Sequence, residues 1–254
     1  MKKIAVALLS LVVCVFANAQ DTLKVMTFNI RFGELASMEE IGEAILKESP
    51  DIVMLQECDW GTYREIAPKQ NGVKFINVLA NHTGMFGLYG KTINYKRGYY
   101  GIGLLSRYPI IHSERILLPN KGKAEQRCVL VADVELNSGK IITVASTHLE
   151  VSTSELRIAQ VKFIEELFKN APYPVIIAGD MNAEPDSEEM TEMRKNWQDC
   201  TNRELTYSTT SPSIKIDYIY TKLSDNSKVI ATERIDRYPG LSDHFPVKST
   251  IIIQ

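Results

Sequence analysis

Short apolar runs recur along the chain and read as strands over residues 23–30, 51–56, 102–106, 129–136, 141–147, 175–178, 216–221, 229–233 and 247–253. Several are apolar at nearly every position, as strands covered on both faces must be. Helical spacing is rarer. Ser37-Met-Glu-Glu40 is a capping box, in which Ser37 and Glu40 satisfy each other's orphan amides. Ile41, Ala44 and Ile45 follow on one face, and Pro50 stands beyond the end. A second helix is predicted over 154–169, where Leu156, Ala159, Val161, Phe163, Ile164, Leu167 and Phe168 make a broad apolar stripe. A third covers 73–82, and a short one begins near Ser187. Sheets buried on both faces need helices outside them, so the pattern predicts a layered α/β sandwich.

The first nineteen residues fall outside this pattern. Met1, Lys2 and Lys3 are a positive start, residues 4–17 are apolar except for Ser10, and Ala17-Asn18-Ala19 is an A-x-A cleavage site. That is the layout of a secretory signal peptide, with a catalytic domain expected over 20–254 in the periplasm or outside the cell. A lipoprotein reading through Cys14 is disfavoured by Val13, where a small residue is needed. No other segment is long enough to span a bilayer. Three cysteines remain after cleavage, Cys58, Cys128 and Cys200, so one at least stays free, and one disulfide is left open. None has C-x-x-C spacing, which disfavours a cysteine-built zinc site.

Composition is that of a globular protein, with 44% hydrophobic and 24% charged residues. The net charge is −2, and removing Lys2 and Lys3 leaves 27 basic against 31 acidic residues, near −4. Tight grip on duplex phosphates usually needs a basic surface.

Seven stretches place a polar side chain at a strand end. They are Thr-Phe-Asn29-Ile-Arg31, Leu-Gln56-Glu57-Cys, Gly-Leu-Leu-Ser-Arg107, Ser-Thr-His148-Leu-Glu150, Ala-Gly-Asp180-Met-Asn182, Ile-Asp217-Tyr-Ile and Ser-Asp243-His244-Phe-Pro246. Singly, an Asp in such a place is a turn former or a cap. Together they are an inventory. Asn29, Glu57, Asp180, Asn182 and Asp243 are hard oxygen donors suited to Mg²⁺, Mn²⁺ or Ca²⁺ and poorly suited to zinc. Two His, two Asp able to orient them, and Arg complete what phosphate-ester hydrolysis needs. There is no G-x-S-x-G elbow and no P-loop. His82 and His112 lack this context and read as structural.

The ordered set Asn29, Glu57, His148, Gly179-Asp180-x-Asn182, Asp217 and Ser242-Asp243-His244 resembles the endonuclease/exonuclease/phosphatase superfamily, over about residues 23–253. Pancreatic deoxyribonuclease and neutral sphingomyelinase belong to it, and the layout here resembles a secreted bacterial type. The resemblance implies an α/β fold: a four-layer sandwich of two packed mixed β-sheets flanked by helices. It implies metal ligation by Glu57, Asn29 and Asp243. It implies catalysis by His244, oriented by Asp217, with Asp180 and Asn182 positioning the nucleophile and His148 donating to the phosphate or the leaving group. The two His could exchange these roles. Arg127, in Glu125-Gln-Arg-Cys, matches an Arg that faces the scissile phosphate.

Substrate is less determined. Inositol polyphosphate 5-phosphatases follow Gly-Asp-x-Asn with Tyr-Arg, where this chain has Ala183-Glu184. Apurinic endonucleases carry Trp before the first Asn, where this chain has Phe28. The stretch 86–100 is rich in Tyr, Lys and Arg. It reads either as a mouth for an anionic, ring-bearing substrate or as an edge hairpin with packed Tyr and solvated charges. The expectation is a secreted Mg²⁺- or Mn²⁺-dependent phosphodiesterase acting on a small molecule, a lipid headgroup or nucleic acid. A secreted nonspecific nuclease is the alternative. A binding protein that kept the fold without catalysis is a third reading. No protein partner is evident.

Overall fold

The computed structural model describes residues 20–223 and 227–253; the leader expected over 1–19 lies outside the described residues. Among them are twelve strands and four α-helices. In chain order these are β1 (Asp21–Asn29), α1 (Met38–Glu48), β2 (Ile52–Trp60), α2 (Phe75–Thr83), β3 (Phe86–Tyr95), β4 (Gly98–Ser106), β5 (Ile110–Leu117) and β6 (Cys128–Glu135). There follow β7 (Ile141–His148), α3 (Ser154–Leu167), β8 (Val175–Asp180), α4 (Glu188–Met193), β9 (Gln198–Asp199), β10 (Asp217–Lys222), β11 (Lys228–Arg234) and β12 (Val247–Ile253).

The strands form two six-stranded sheets, ordered β11-β12-β1-β2-β4-β3 and β5-β6-β7-β8-β10-β9. Each is mixed. β1 and β2 are parallel in the first, β7 and β8 in the second, and the other pairs are antiparallel. Alternation along each strand then sorts the core into layers. Leu23, Val25, Ile52 and Met54 meet Leu130, Val144, Ile176 and Ile219 between the sheets. Met26, Phe28 and Val53 face outward onto α1 and α2 through Ile41, Ile45, Phe75 and Leu79. Val129, Ala145 and Ile177 face α3 and α4 through Val161, Ile164, Met190 and Met193. This is the expected four-layer α/β sandwich.

Local rules set the helix ends. The capping box at Ser37 and Glu40 is formed, and Ser49 closes α1 in the left-handed conformation. Thr153 and Ser187 cap α3 and α4 with their side chains. Cys58, Cys128 and Cys200 are all free and buried. No helix among the described residues is long and apolar enough to cross a membrane.

Glu48, at the end of α1, ties that helix to the first sheet. It is buried and accepts from Arg237, from Lys248 on β12 and from the Tyr238 hydroxyl at 2.9 Å. Burial alone would raise its pKa, but these donors win and hold it at about 2, below the ordinary glutamate value of 4.5. A depressed carboxylate stabilises the fold fully above its unfolded pKa and stops doing so as pH falls through its folded one. Glu48→Gln is expected to cost about 1–2 kcal/mol at neutral pH. The difference from wild type should shrink between pH 4.5 and about 2. Denaturant titrations across that window read it; a difference that does not change with pH would contradict it.

Candidate active site

Strand pairing brings the polar strand ends to one pole. β1 and β2 run in parallel and set Asn29 opposite Gln56. β7 and β8 run in parallel and set His148 opposite Asp180. β10 is antiparallel to β8, so its first residue, Asp217, also lies opposite Asp180. β12 is antiparallel to β1, with Val247 opposite Thr27, so Asp243 and His244 just before it arrive beside Asn29. The Ser242 hydroxyl pins that approach by donating to the Asn29 carbonyl at 2.7 Å. β6 is antiparallel to β7, so Arg127, just before it, reaches His148.

Glu57 comes to the pole through an irregularity. The pairing of β2 with β4 shifts register between Leu55 and Cys58, and Glu57 has φ of +58°. A bulge re-aims a side chain, and a non-glycine residue in the left-handed region marks a position whose geometry the surroundings impose. Asn182 has φ of +48°, its amide N–H donates to Asp180 Oδ1 at 2.9 Å, and its side-chain nitrogen donates to the Leu149 carbonyl at 2.9 Å.

The contacts join these residues into one network. Asn29 Nδ2 donates to Glu57 Oε1 at 3.2 Å and to Asp180 Oδ2 at 3.0 Å. His244 Nδ1 lies 3.0 Å from Asp217 Oδ2, and its Nε2 lies 3.7 Å from Asp180 Oδ2. His148 Nε2 lies 3.5 Å from the same Asp180 oxygen. Arg127 Nη1 is 3.2 Å from His148 Nδ1. A guanidinium only donates, so Nδ1 carries the lone pair and the neutral ring carries its proton on Nε2.

The two imidazoles are pushed in opposite directions. Burial, then the charges of Arg127 and His244, drive His148 well below the usual imidazole range. Burial would also lower His244, but Asp217, Asp180 and Asp243 raise it to about 10. Burial raises Asp180 to about 7, with Asp217 adding to the push and His244 opposing it. Burial also raises Glu57. Burial leaves these carboxylates short of the solvation their charge needs, and the neighbouring cations offset only part of it.

That shortage is the fit test for a metal, and the donor set passes it. Glu57, Asp180, Asp217, Asp243 and Asn29 offer hard oxygen atoms, the preference of Mg²⁺ and its relatives. Asp180, Asp217 and His244 each offer one ligand atom, and these lie within 4.8 Å of one another. This group could hold a divalent cation. All three already have partners, Asp217 and His244 in each other and Asp180 in Asn29 and the Asn182 amide.

The remaining expected residues are placed as follows. Asp243 is at the pole, where the Arg31 guanidinium donates to it. Arg127 is buried, and its guanidinium contacts Glu125 at 2.9 Å, Glu150 at 3.4 Å and His148. Arg107 lies at the opposite end of β4, bonded to the Pro50 carbonyl. His82 and His112 stand far off, facing Glu43 and Asp133. The 86–100 stretch is an edge hairpin, as one of its two readings had it. Tyr89 packs on Trp60, and Tyr95 and Tyr100 flank the Arg64 guanidinium. Only Tyr100 reaches the pole, where the charges of Glu57 and Arg127 act on it. Arg31, Glu125 and Glu150 were given no role of their own from sequence, although Arg31 and Glu150 each stand two residues past a strand end; Tyr100 belonged to the 86–100 stretch.

A two-sheet α/β sandwich with carboxylates and imidazoles at one pole defines a class, and comparison identifies it. The Endonuclease/Exonuclease/phosphatase family model matches residues 26–244. The chain is 30% identical over 263 residues to Uncharacterized protein YbhP of Escherichia coli (strain K12), covering 91% of this chain and 97% of that one. A functionally unknown conserved protein from Enterococcus faecalis V583 matches with a TM-score of 0.75 at 20% identity, over 91% of this chain and 100% of that chain. A mannosyl-6-phosphatase from Bacteroides thetaiotaomicron VPI-5482 matches with a TM-score of 0.72 at 16% identity, over 90% and 99%. At such identities the solved structures establish the fold alone. The chain belongs to the endonuclease/exonuclease/phosphatase family, and its His/Asp group supports a metal-dependent phosphoesterase function in general.

Asp217→Asn tests the electrostatics directly. The His244 pKa is pushed up to about 10, with Asp217 first among the groups that raise it. It should fall toward the ordinary imidazole value of about 6.5 in the variant, read by NMR of the ring in metal-free protein. A midpoint that stays near 10 would contradict the pairing.

Proposed function

We propose that the chain is a secreted, divalent-metal-dependent phosphoesterase, acting on a phosphodiester with water activated by the His244–Asp217 pair. The observation that carries this reading is the 3.0 Å contact of His244 Nδ1 with Asp217, beside an Asn29 that joins Glu57 to Asp180. A leader over 1–19 would be removed before Gln20, and residues 20–254 would be one catalytic domain outside the cytoplasm.

Glu57, Asn29 and Asp243 would hold Mg²⁺ or Mn²⁺, with Ca²⁺ the third candidate. A bound ion neutralises charge on the phosphoryl oxygens. By offsetting the negative charge around His244 it would also lower that ring's pKa, so that Nε2 would be the group to accept a proton from water. Asp217 fixes the ring through Nδ1. Asp180, 3.7 Å from Nε2, orients the same water. His148 presents a neutral Nε2–H toward a phosphate oxygen or the leaving group, and Arg127 holds that tautomer from behind. Asn182 completes the wall beside Asp180.

A secreted nonspecific nuclease is the second reading. It is favoured by the cluster of Phe32, Tyr95 and Tyr100 around the Arg64 guanidinium, of which Tyr100 adjoins Glu57, since bases stack on aromatic and guanidinium surfaces.

The test is hydrolysis of bis-p-nitrophenyl phosphate and p-nitrophenyl phosphate by the full chain, in EDTA and in Mg²⁺ or Mn²⁺. The monoester arm also covers the activity in the mannosyl-6-phosphatase's name. Metal-dependent cleavage of the diester is expected. Glu57→Ala should abolish the metal stimulation, and His244→Ala should lower kcat by about a hundredfold or more. Nicking of plasmid DNA with inert small esters would favour the nuclease. Metal binding without any turnover would favour the binding protein. N-terminal sequencing of exported protein should begin at Gln20; an intact Met1 would contradict the leader.

A further inference from the structure

Asp217 opens β10 in the second sheet, and His244 stands just before β12 in the first. β10 lies between β8 and β9, and β12 between β11 and β1, so among the described strands no ladder joins the two. Strand pairing therefore does not by itself set the distance between Asp217 and His244, although their side chains meet at 3.0 Å.

The segment 206–214 spans that gap. Thr206 is buried, and its hydroxyl oxygen accepts from the Ile216 amide at 3.1 Å and from the Asp217 amide at 3.2 Å. Its carbonyl accepts from the Phe245 amide at 2.8 Å. One residue holds the Asp217 backbone with its side chain and the residue after His244 with its main chain. Thr209 adds a second grip on the His244 side. Its amide donates to the Asp243 carbonyl and its hydroxyl to the Ser242 carbonyl, both at 2.9 Å. The segment is itself closed as a hairpin, because the Tyr207 and Ile214 amides each donate to the other's carbonyl, at 3.1 and 3.0 Å. The Tyr207 ring packs on the His244 imidazole with centroids 4.9 Å apart, which restrains the ring while Asp217 holds its Nδ1. On its other side, the Asp217 carbonyl accepts from the buried Lys215 Nζ at 2.9 Å.

Ile216 and Asp217 are buried, so amides deprived of the Thr206 hydroxyl would have to move to find another acceptor. A shift of Asp217 passes directly to its contact with His244, and small displacements of positioned groups cost much rate. We propose that Thr206 is a positioning residue: the 206–214 hairpin clamps Asp217 to the His244 segment across the seam between the sheets and so sets the geometry of the pair. Thr206 acts through that pair and not on the substrate. The kinetic consequence rests on the phosphoester reading of the pole, whereas the geometric one does not.

The test uses the full chain carrying Thr206→Val, which keeps the shape and removes the acceptor, beside Thr206→Ser, which keeps the acceptor. With bis-p-nitrophenyl phosphate in Mn²⁺, Thr206→Val is expected to lose about tenfold or more in kcat with KM within about twofold of wild type, and Thr206→Ser to stay within about threefold of wild-type kcat. Nitrogen NMR of the histidine rings reads the clamp without a substrate. Thr206→Val should move the His244 Nδ1 signal and leave the His148 signals in place, and Thr206→Ser should move neither. If Thr206→Val does not fold, Tyr207→Ala carries the test from the half-buried side of the hairpin, with the same loss of kcat at steady KM and recovery in Tyr207→Phe. Wild-type kcat together with an unmoved His244 signal in Thr206→Val would overturn the proposal, as would a Thr206→Ser variant as impaired as Thr206→Val. A wild type that turns over no ester, with the His244 signal still moved by Thr206→Val, would remove the phosphoesterase and keep the clamp. Wild-type turnover that none of the variants changes would keep the phosphoesterase and remove the clamp.

Discussion

Asn29 Nδ2 donates to Asp180 Oδ2 across the seam between the two sheets, joining residues 151 positions apart. The same nitrogen reaches Glu57 on the neighbouring strand. Everything at the pole is organised around that junction. Asp180 faces His148 through parallel pairing and Asp217 through antiparallel pairing, and its Oδ2 lies 3.5 Å from His148 Nε2 and 3.7 Å from His244 Nε2. The junction is buried, so its polar groups must satisfy one another, and that requirement fixes how the two sheets meet.

The same crowding produces the site's chemistry. Two histidines stand against one carboxylate, yet their surroundings push them apart. Asp217, Asp180 and Asp243 favour the protonated form of His244, and burial and Arg127 disfavour it in His148. Titratable groups separated in this way take different parts in acid–base chemistry. Each ring is anchored at Nδ1, one by a carboxylate and one by a guanidinium, so each presents Nε2 to the centre. The carboxylates left over carry more negative charge than the protein compensates, and a divalent cation is the natural remedy.

Much of the fold was legible because periodicity is a local property. The runs over 141–147, 175–178 and 247–253 match β7, β8 and β12 within two residues, and the Ser37 capping box starts α1 where expected. Three strands were not read from periodicity, and one of them, β9, is only two residues long. β3 is broken by Gly87 and Gly90, and β5 is an exposed, charged edge with no buried face to impose alternation. β2 continues past Gln56 because the bulge at Glu57 lets pairing resume at Cys58. The residues gathered at the pole, and the Asp217–His244 pair, could be named from the strand-end motifs and the resemblance they carry, but the other contacts could not. Arg127 was expected to face a phosphate, and its guanidinium here contacts Glu125, Glu150 and His148. Gln160 meets the Pro119 carbonyl 41 residues away, a contact no local pattern records.

The central claim is that the pole lacks a positive charge that a divalent cation supplies. Thermal unfolding of the full chain in EDTA and in millimolar Mn²⁺ tests it without reference to any substrate, because an ion bound only by the folded state raises Tm. The account predicts a clear rise in Tm for the wild type and little or none for Glu57→Gln. An unchanged wild-type Tm, or an equal rise in the variant, would contradict it.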